Sequence, residues 1–176
     1  MIFEKLKLDG AYLIHLKPIK DERGLFARSF CKKLFSEKNL ETDFVQSNFS
    51  VNYKKATLRG MHQQIEPNSE VKLVRCTEGK IFDVIVDYRE DSKTFKQWFG
   101  AELSDDNHKM MYVPKGFLHG YLTLTQFSSV FYMVSNEYAP KSENGIRYDD
   151  KEIGIKWPIK VRELSEKDLN WPPIKK

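Results

Sequence analysis

The chain has 176 residues, of which 40% are hydrophobic and 13% aromatic, and its formal net charge is +4. The aromatic content excludes a disordered protein, and the lack of an apolar run of about 18 residues excludes a membrane-spanning helix. The charge is too small and too scattered to favour nucleic-acid binding. One folded domain over residues 1–176 is therefore predicted, with neither nucleic acid nor a membrane as its partner.

The N-terminal residues and the two cysteines allow a prediction of the cellular location. The first ten residues, MIFEKLKLDG, interrupt any apolar segment with charges, which is not the pattern of a secretory signal. Cys31 and Cys76 are too few for a disulfide framework. Free thiols in a reducing compartment are expected, and the predicted location is cytoplasmic.

Short segments rich in β-branched and aromatic residues follow one another along the chain, separated by turn residues. A helix is predicted near residues 32–38 and an irregular tail over 158–176. The predicted strands cover residues 12–16, 71–76, 81–88, 97–103, 110–113, 120–124 and 130–135. Because helices do not alternate with these strands, the pattern favours an all-β sandwich or barrel over βαβ units.

Four polar side chains fall among apolar neighbours when the strands are divided into their two faces. They are His62, Lys72, Asp83 and Tyr132. Taken singly, each is compatible with a core residue whose polar group is satisfied or reaches solvent. If all four point into one barrel, a shared polar pocket is the better interpretation.

Arg59 does not fit this pocket on a regular strand, because it has the opposite parity to His62. A β-bulge at Gly60, or a pocket completed by a second subunit, is needed to bring the two side chains together.

Residues 114–120, PKGFLHG, have the Pro-x-Gly-x-x-His pattern of a cupin jelly-roll barrel. The His-x-His half of the cupin metal signature is replaced by His62-Gln63-Gln64. Since a metal cupin normally presents three histidines and a carboxylate, no metal site and no other cofactor is predicted.

Over nearly its whole length the sequence resembles the dTDP-4-dehydrorhamnose 3,5-epimerases. The resemblance implies an all-β, cupin-type jelly-roll barrel with one or two short helices and an irregular C-terminal tail. The matching stretches are DERGLF (21–26), QSNFS (46–50), LRGMHQ (58–63), KLVR (72–75), FDVIVD (82–87), VPKGFLHG (113–120), YAP (138–140), DD (149–150), IKWP (155–158) and LSEKD (164–168).

The resemblance also implies the site. His62 would be the catalytic base, Asp168 its carboxylate partner and Tyr132 the acid, with Lys72 near the substrate ketone. A homodimer is implied in which the N-terminal segment of one subunit completes the site of the other. The implied substrate contacts are Arg23, Phe26, Gln46, Asn48, Arg59, His119, Glu143 and Lys167, with base stacking by Tyr138.

Two positions depart from the family pattern. Arg28 stands where many members carry Glu, and is expected near the nucleotide; Met133 stands where a lysine commonly follows the catalytic tyrosine. These departures concern the nucleotide base or the exact sugar more than the chemistry.

The predicted function is epimerisation at C3 and C5 of a nucleotide-linked 4-keto-6-deoxyhexose, with dTDP as the favoured nucleotide, for deoxysugar and cell-surface polysaccharide synthesis. The protons at C3 and C5 are acidic because the anion delocalises onto the ketone, and inversion needs a base and an acid on opposite sides of the ring. The alternatives are a single-carbon epimerase or ketoisomerase acting on a sugar linked to another nucleotide, and a non-catalytic sugar-nucleotide binding module.

Overall fold

Two β-sheets packed face to face form the body of the protein in the computed structural model, which describes residues 1–174. The six-stranded sheet has the order β1-β2-β10-β7-β12-β5 and the five-stranded sheet the order β13-β6-β11-β8-β9. Strands β3 and β4 form a separate hairpin. The predicted all-β class is confirmed.

The strands are short, and two short α-helices accompany them. Helix α1 spans Lys32–Ser36 and α2 spans Glu166–Leu169, with a 3-10 turn at Pro140–Ser142. The strands are β1 (Ile2–Lys5), β2 (Tyr12–His15), β3 (Ile19–Asp21), β4 (Gly24–Phe26), β5 (Gln46–Asn52), β6 (Leu58–Gln64), β7 (Lys72–Glu78), β8 (Lys80–Asp87), β9 (Trp98–Ser104), β10 (Lys109–Val113), β11 (Phe117–Thr123), β12 (Ser128–Val134) and β13 (Glu143–Gly145).

Each predicted strand coincides with an observed one to within a few residues, and α1 lies inside the predicted helix. No strand was predicted at β1, β3, β4, β5 or β13. The tail expected to be irregular contains α2, which Ser165 caps by accepting a hydrogen bond from the Asp168 backbone N–H. The final residues, 175 and 176, lie outside the described part of the chain.

The core lies between the two sheets and follows the alternation of their strands. Both inner faces contribute large apolar side chains that are almost fully buried: Leu13, Val74, Met111 and Val130 from the six-stranded sheet, and Ile81, Ile85, Leu103 and Phe117 from the five-stranded sheet. Lys72, Asp83 and Tyr132 have the same strand parity as these residues and therefore also face inwards.

A β-bulge interrupts the pairing of β6 with β11. His119 lies opposite His62 and Tyr121 opposite Arg59, so three steps along β6 match two along β11. The extra residue places Arg59 and His62 on the same face. Of the two explanations that the sequence left open for Arg59, the structure shows the bulge.

Glycine is required where the bulge brings the two strands together. Gly60 has φ +113, and a Cβ at this position would lie 2.6 Å from both the Cα of Gly120 and the backbone oxygen of His119. A side chain at Gly60 would thus meet backbone atoms that cannot move aside without disturbing the strand pairing.

At the end of β8, Asp87 is hydrogen-bonded to the loop that leads to β9. The carboxylate is fully buried and accepts hydrogen bonds from the Arg89 guanidinium and from the hydroxyls of Ser92 and Thr94. Burial raises the pKa of Asp87, but these hydrogen bonds outweigh it and lower the pKa to about 2.

Neither of the helices in residues 1–174 is long and apolar enough to cross a membrane.

Candidate active site

A cavity of about 310 Å³ opens between the two sheets. His62 reaches it from β6 of the five-stranded sheet, whereas Lys72 and Tyr132 reach it from β7 and β12 of the six-stranded sheet. Of the four polar side chains singled out by alternation, these three line one cavity, whereas the fourth, Asp83, is fully buried and is not among the lining residues. The complete lining is Gln46, Asn48, His62, Gln63, Gln64, Glu70, Lys72, Tyr132, Val134, Tyr138 and Glu143.

The imidazole of His62 is held in its neutral form. Burial lowers its pKa well below the usual value, and the positive charges of Lys72 and Lys167, together with repulsion from a protonated form of His119, lower it further. Within residues 1–174 the His62 side chain makes no hydrogen bond. At neutral pH this imidazole therefore has a lone pair available to accept a proton.

Behind His62 lies a buried histidine–aspartate pair. His119 is the cross-strand neighbour of His62, and its Nε2 lies 2.8 Å from Oδ1 of the fully buried Asp83. Oδ2 of Asp83 has no partner among the described residues. The structure thus places His119 beside the cavity lining, where it can contact His62, and identifies Asp83 as its anchor.

The phenol of Tyr132 is held in its protonated form, whereas the imidazole of His62 is held in its deprotonated form. Burial raises the pKa of its phenol, and nearby Tyr121 and Glu70 add to this effect, while the positive charge of Arg59 opposes it. The phenol therefore stays protonated over the physiological pH range and can donate a proton or hydrogen bond into the cavity.

Lys72 forms a buried ion pair that sequence reasoning missed. Its Nζ lies 3.1 Å from Oε1 of Glu70, and both side chains are only 9% exposed. Glu70 precedes the predicted strand, but alternation extended by one step already puts it on the same face as Lys72. Extending the predicted strand by one residue would therefore have predicted that Glu70 and Lys72 share a face.

Gln64, which was not predicted as a site residue either, connects several parts of the cavity wall by hydrogen bonds. Its Nε2 donates to Oε2 of Glu70 at 3.3 Å and to the backbone oxygens of Asn68 and Glu137, while its Oε1 accepts the Ala139 N–H. In the sequence it stood out only as the residue in place of a second metal-ligand histidine.

At the mouth of the cavity, several predicted substrate residues bond to one another. Gln46 donates to Asn48 at 2.8 Å and accepts the Tyr138 N–H, and the Tyr138 hydroxyl donates to Glu143. Lys167, from α2, pairs with the same carboxylate. The structure therefore gathers polar groups and one exposed aromatic ring at a single rim.

Arg59 and Asp168 line a neighbouring groove. Arg59 Nε donates to Oδ1 of Asn52 at 2.8 Å, which fixes the guanidinium. Asp168 is buried in α2, which packs on β6. Between His62 and Asp168 the described residues show no hydrogen bond or ion pair, so their predicted partnership stays a prediction.

The hairpin β3–β4 contributes no residue to the lining of the cavity. All six of its residues are exposed, Phe26 is 67% exposed, and Arg23 pairs with Asp21. Phe26 and Arg28 line a different, shallow pocket near Met1. Within one chain, the structure thus does not bring Arg23, Phe26 or Arg28 to the site.

Over residues 1–174, no three His, Cys, Asp or Glu side chains converge as a metal site would require.

Comparisons with known proteins agree with one another. A family model described as dTDP-4-dehydrorhamnose 3,5-epimerase matches residues 5–176. A protein of that name from Methanothermobacter thermautotrophicus is 43% identical over 176 residues, covering 98% of this chain and 94% of the relative.

Two solved structures extend the similarity to the fold. The enzyme of that name from Bacillus anthracis, with TDP and PPi bound, has a TM-score of 0.95 at 39% identity, covering 98% of this chain and 99% of the other. A Legionella pneumophila dTDP-6-deoxy-D-glucose-3,5-epimerase in complex with dTDP-4-keto-L-rhamnose has a TM-score of 0.90 at 38% identity, covering 96% and 89%. The likeness therefore extends over almost the whole of each chain.

Proposed function

The chain belongs to the dTDP-4-dehydrorhamnose 3,5-epimerase family, and we propose that the cavity between its two sheets is where the reaction takes place. The protein is an isomerase of the racemase and epimerase class, acting at C3 and C5 of a dTDP-linked 4-keto-6-deoxyhexose in deoxysugar biosynthesis. The observation that supports the proposed site is that His62 and Tyr132 enter one cavity from different sheets.

His62 is the proposed base. Its neutral imidazole accepts the proton from C3 or C5, and the electron pair of the broken C–H bond moves onto the ketone oxygen to give an enolate. Tyr132 then donates its proton to the opposite face of the same carbon as the enolate returns to the ketone. The His62 imidazolium then releases its proton to solvent and the Tyr132 phenolate takes one up from solvent, so each inverted carbon carries a hydrogen that can derive from solvent.

Lys72 is the proposed electrostatic partner of the ketone oxygen. An ammonium in a buried site stabilises the negative charge of the enolate more strongly than it would in water, because the surroundings are less polarisable. Donors of this kind commonly contribute about 10²–10³-fold to the rate.

The nucleotide portion is proposed to occupy the mouth of the cavity and the adjoining groove. Arg59 and Lys167 supply positive charge for the diphosphate, and the guanidinium is suited to bidentate contacts with phosphate oxygens. The ring of Tyr138 is more than half exposed and is proposed to stack on the base. The relative from B. anthracis binds TDP, which supports this arrangement. His119, Gln46, Asn48 and Glu143 complete the proposed contacts.

A homodimer is the proposed assembly. An isolated two-stranded hairpin is only marginally stable in water, yet β3–β4 exposes Ile19, Leu25 and Phe26. Strand β5 is the edge of the six-stranded sheet, carries Gln46 and Asn48 of the cavity, and exposes Phe49. Pairing of the hairpin with a partner's β5 edge would cover both surfaces and bring Arg23, Phe26 and Arg28 to the partner's cavity.

The proposed place of action is the cytoplasm, because both cysteines are free thiols, as expected in a reducing compartment. The alternatives of a single-carbon epimerase or a simple binding module are not favoured by the named relatives.

Deuterium incorporation tests the proposed roles. With dTDP-4-keto-6-deoxyglucose in heavy water, the wild type is expected to exchange at both C3 and C5, as followed by NMR. His62→Asn should lower exchange at both carbons by about 10²–10⁴-fold, the usual range for a general base. Tyr132→Phe should retain exchange but lose the inverted product. Undiminished exchange in His62→Asn, or normal turnover in Tyr132→Phe, would remove that residue from the mechanism.

A further inference from the structure

The buried carboxylate beside Lys72 has no role in the chemistry described so far. We propose that Glu70 is a positioning residue, which holds the Lys72 ammonium at the cavity wall through their buried ion pair. The inference rests on the proposed function, because it assigns Lys72 to the substrate ketone.

The Lys72 ammonium needs a contact that fixes its position. Its side chain is long and flexible, and the Lys72 backbone lies among the apolar residues of the inner sheet face. Its positive charge also acts on the nearby His62 imidazole. In residues 1–174 the ion pair of Lys72 is formed with Glu70 alone. Because an ammonium has three N–H donors, its contact with a single carboxylate oxygen of Glu70 leaves donors for a ketone oxygen in the cavity.

Glu70 is itself fixed from behind. Its second oxygen, Oε2, accepts from Gln64 Nε2 at 3.3 Å. The remaining bonds of Gln64 go to the backbone on both sides, at Asn68 before Glu70 and at Glu137 and Ala139 after β12. A continuous chain of contacts therefore runs from the rigid backbone through Gln64 and Glu70 to Lys72.

The carboxylate of Glu70 acts on the site in two opposite ways. It holds the Lys72 ammonium in place through the ion pair, but its negative charge offsets part of the attraction that the ammonium has for the enolate. Added to burial, it also raises the pKa of the Tyr132 phenol and so makes Tyr132 a weaker proton donor. The benefit to the reaction is therefore the fixed position of the ammonium. An amide at position 70 has one oxygen for the two donors, Lys72 Nζ and Gln64 Nε2, so it can replace Glu70 only in part.

Two substitutions at Glu70 test this role. Glu70→Gln removes the charge and leaves one oxygen for two donors, so it is expected to lower kcat by about 3–10-fold. Glu70→Leu removes both contacts and is expected to lower kcat by about 10–100-fold, as for loss of a preorganised donor. KM and the affinity for dTDP, measured by calorimetry, should change by less than about twofold, because only the ketone end of the site is affected.

A double-mutant cycle with Lys72→Met shows whether Glu70 acts through Lys72. In the Lys72→Met background, Glu70→Leu should cost no further activity. That double variant also leaves no unpaired buried ammonium, so it stays folded if the single Glu70→Leu variant does not. Glu152→Leu, which breaks the remote Lys96–Glu152 pair, is the matched control and should keep wild-type kinetics.

Each outcome bears on the inference. Wild-type kcat in Glu70→Leu, an equal loss of kcat in Glu70→Gln and Glu70→Leu, or a full further loss in the Lys72→Met background would each overturn it. The proposed function is judged separately by His62→Asn. If that variant is inactive while Glu70→Leu is fully active, the inference about Glu70 fails and the epimerase site stands.

Discussion

His62 and His119 face each other across the β6–β11 ladder, and the second imidazole is anchored by Asp83 at 2.8 Å. A protonated His119 would repel a protonated His62, and Lys72 and Lys167 act in the same direction. The base is thus surrounded by groups that disfavour its charged form. This arrangement keeps the imidazole ready to accept a proton, and it fixes the pH range in which the enzyme can work.

We predict that the acidic limb of kcat/KM lies below pH 6.5, the ordinary pKa of histidine. Protonated His62 cannot act as a base, and because its pKa is lowered, mainly by burial, the neutral form persists as the pH falls below 6.5. NMR titration of the His62 ring should show the same midpoint.

Lys72→Met provides the comparison for this pH dependence. Removing a like charge should raise the pKa of His62, so its NMR titration should move to higher pH. A wild-type midpoint at or above 6.5, or an unchanged midpoint in the variant, would contradict the electrostatic account of the site.

Subunit mixing is predicted to restore activity if the hairpin acts across a dimer. Arg23→Ala and His62→Asn homodimers should each be nearly inactive. After unfolding and refolding together in equal amounts, half of the dimers would be mixed, and each mixed dimer would hold one intact site. Activity should then recover to about one quarter of the wild-type value. Sedimentation velocity should show a dimer throughout; absence of recovery in a confirmed mixed dimer would place the hairpin's contribution within its own chain.

Gly60→Ala is expected to lower the free energy of unfolding by about 3 kcal/mol or more, because the new Cβ meets the backbone of β11 at 2.6 Å and the residue has φ +113. Gly154→Ala is the matched control. It also has a positive φ, +63, but the nearest atom is 3.8 Å from the new Cβ, so a loss of about 1 kcal/mol is expected. Urea unfolding measures both; equal losses would show that contact with β11 is unimportant.

Asp87→Asn is expected to destabilise the protein by about 2 kcal/mol at neutral pH. The pKa of Asp87 is about 2 in the folded protein against 3.8 for an ordinary aspartate, because its hydrogen bonds outweigh the effect of burial. A lowered carboxyl pKa stabilises the folded state above the unfolded pKa, and this stabilisation is lost as the pH falls towards 2.

The stability difference between wild type and Asp87→Asn should therefore be constant above about pH 5 and shrink between pH 4 and 2. Asp149→Asn, which alters an exposed pair with Arg147, should have a much smaller effect at every pH. A difference at Asp87 that does not depend on pH would point to lost packing instead of a lost charge.

Strand alternation was sufficient to predict the inward direction of Lys72, Asp83 and Tyr132, because parity within one strand is a local property. The position of Arg59 depended on a bulge, which is decided by how β6 pairs with β11. Pairing of this kind joins residues far apart in sequence, so beforehand a bulge at Gly60 and a pocket completed by a second subunit were equally open explanations.

Other parts of the site were less accessible to sequence reasoning. Asp168 comes from a helix more than a hundred residues after His62, so only the fold brings it next to β6. Glu70 and Gln64 contact other side chains and the backbone; alternation could have shown that Glu70 shares a face with Lys72, but the contacts themselves have no sequence signature. The resemblance to the family supplied the role expected of Asp168, but it assigned none to Glu70.

The proposed base and the proposed acid belong to separate sheets that share no strand. Substitutions along β12 can consequently change how hydrogen is delivered to the sugar without altering the ladder that holds His62. A mutant library restricted to that strand is a direct way to search for altered stereochemistry, since the strand that carries His62 would be unchanged in every member.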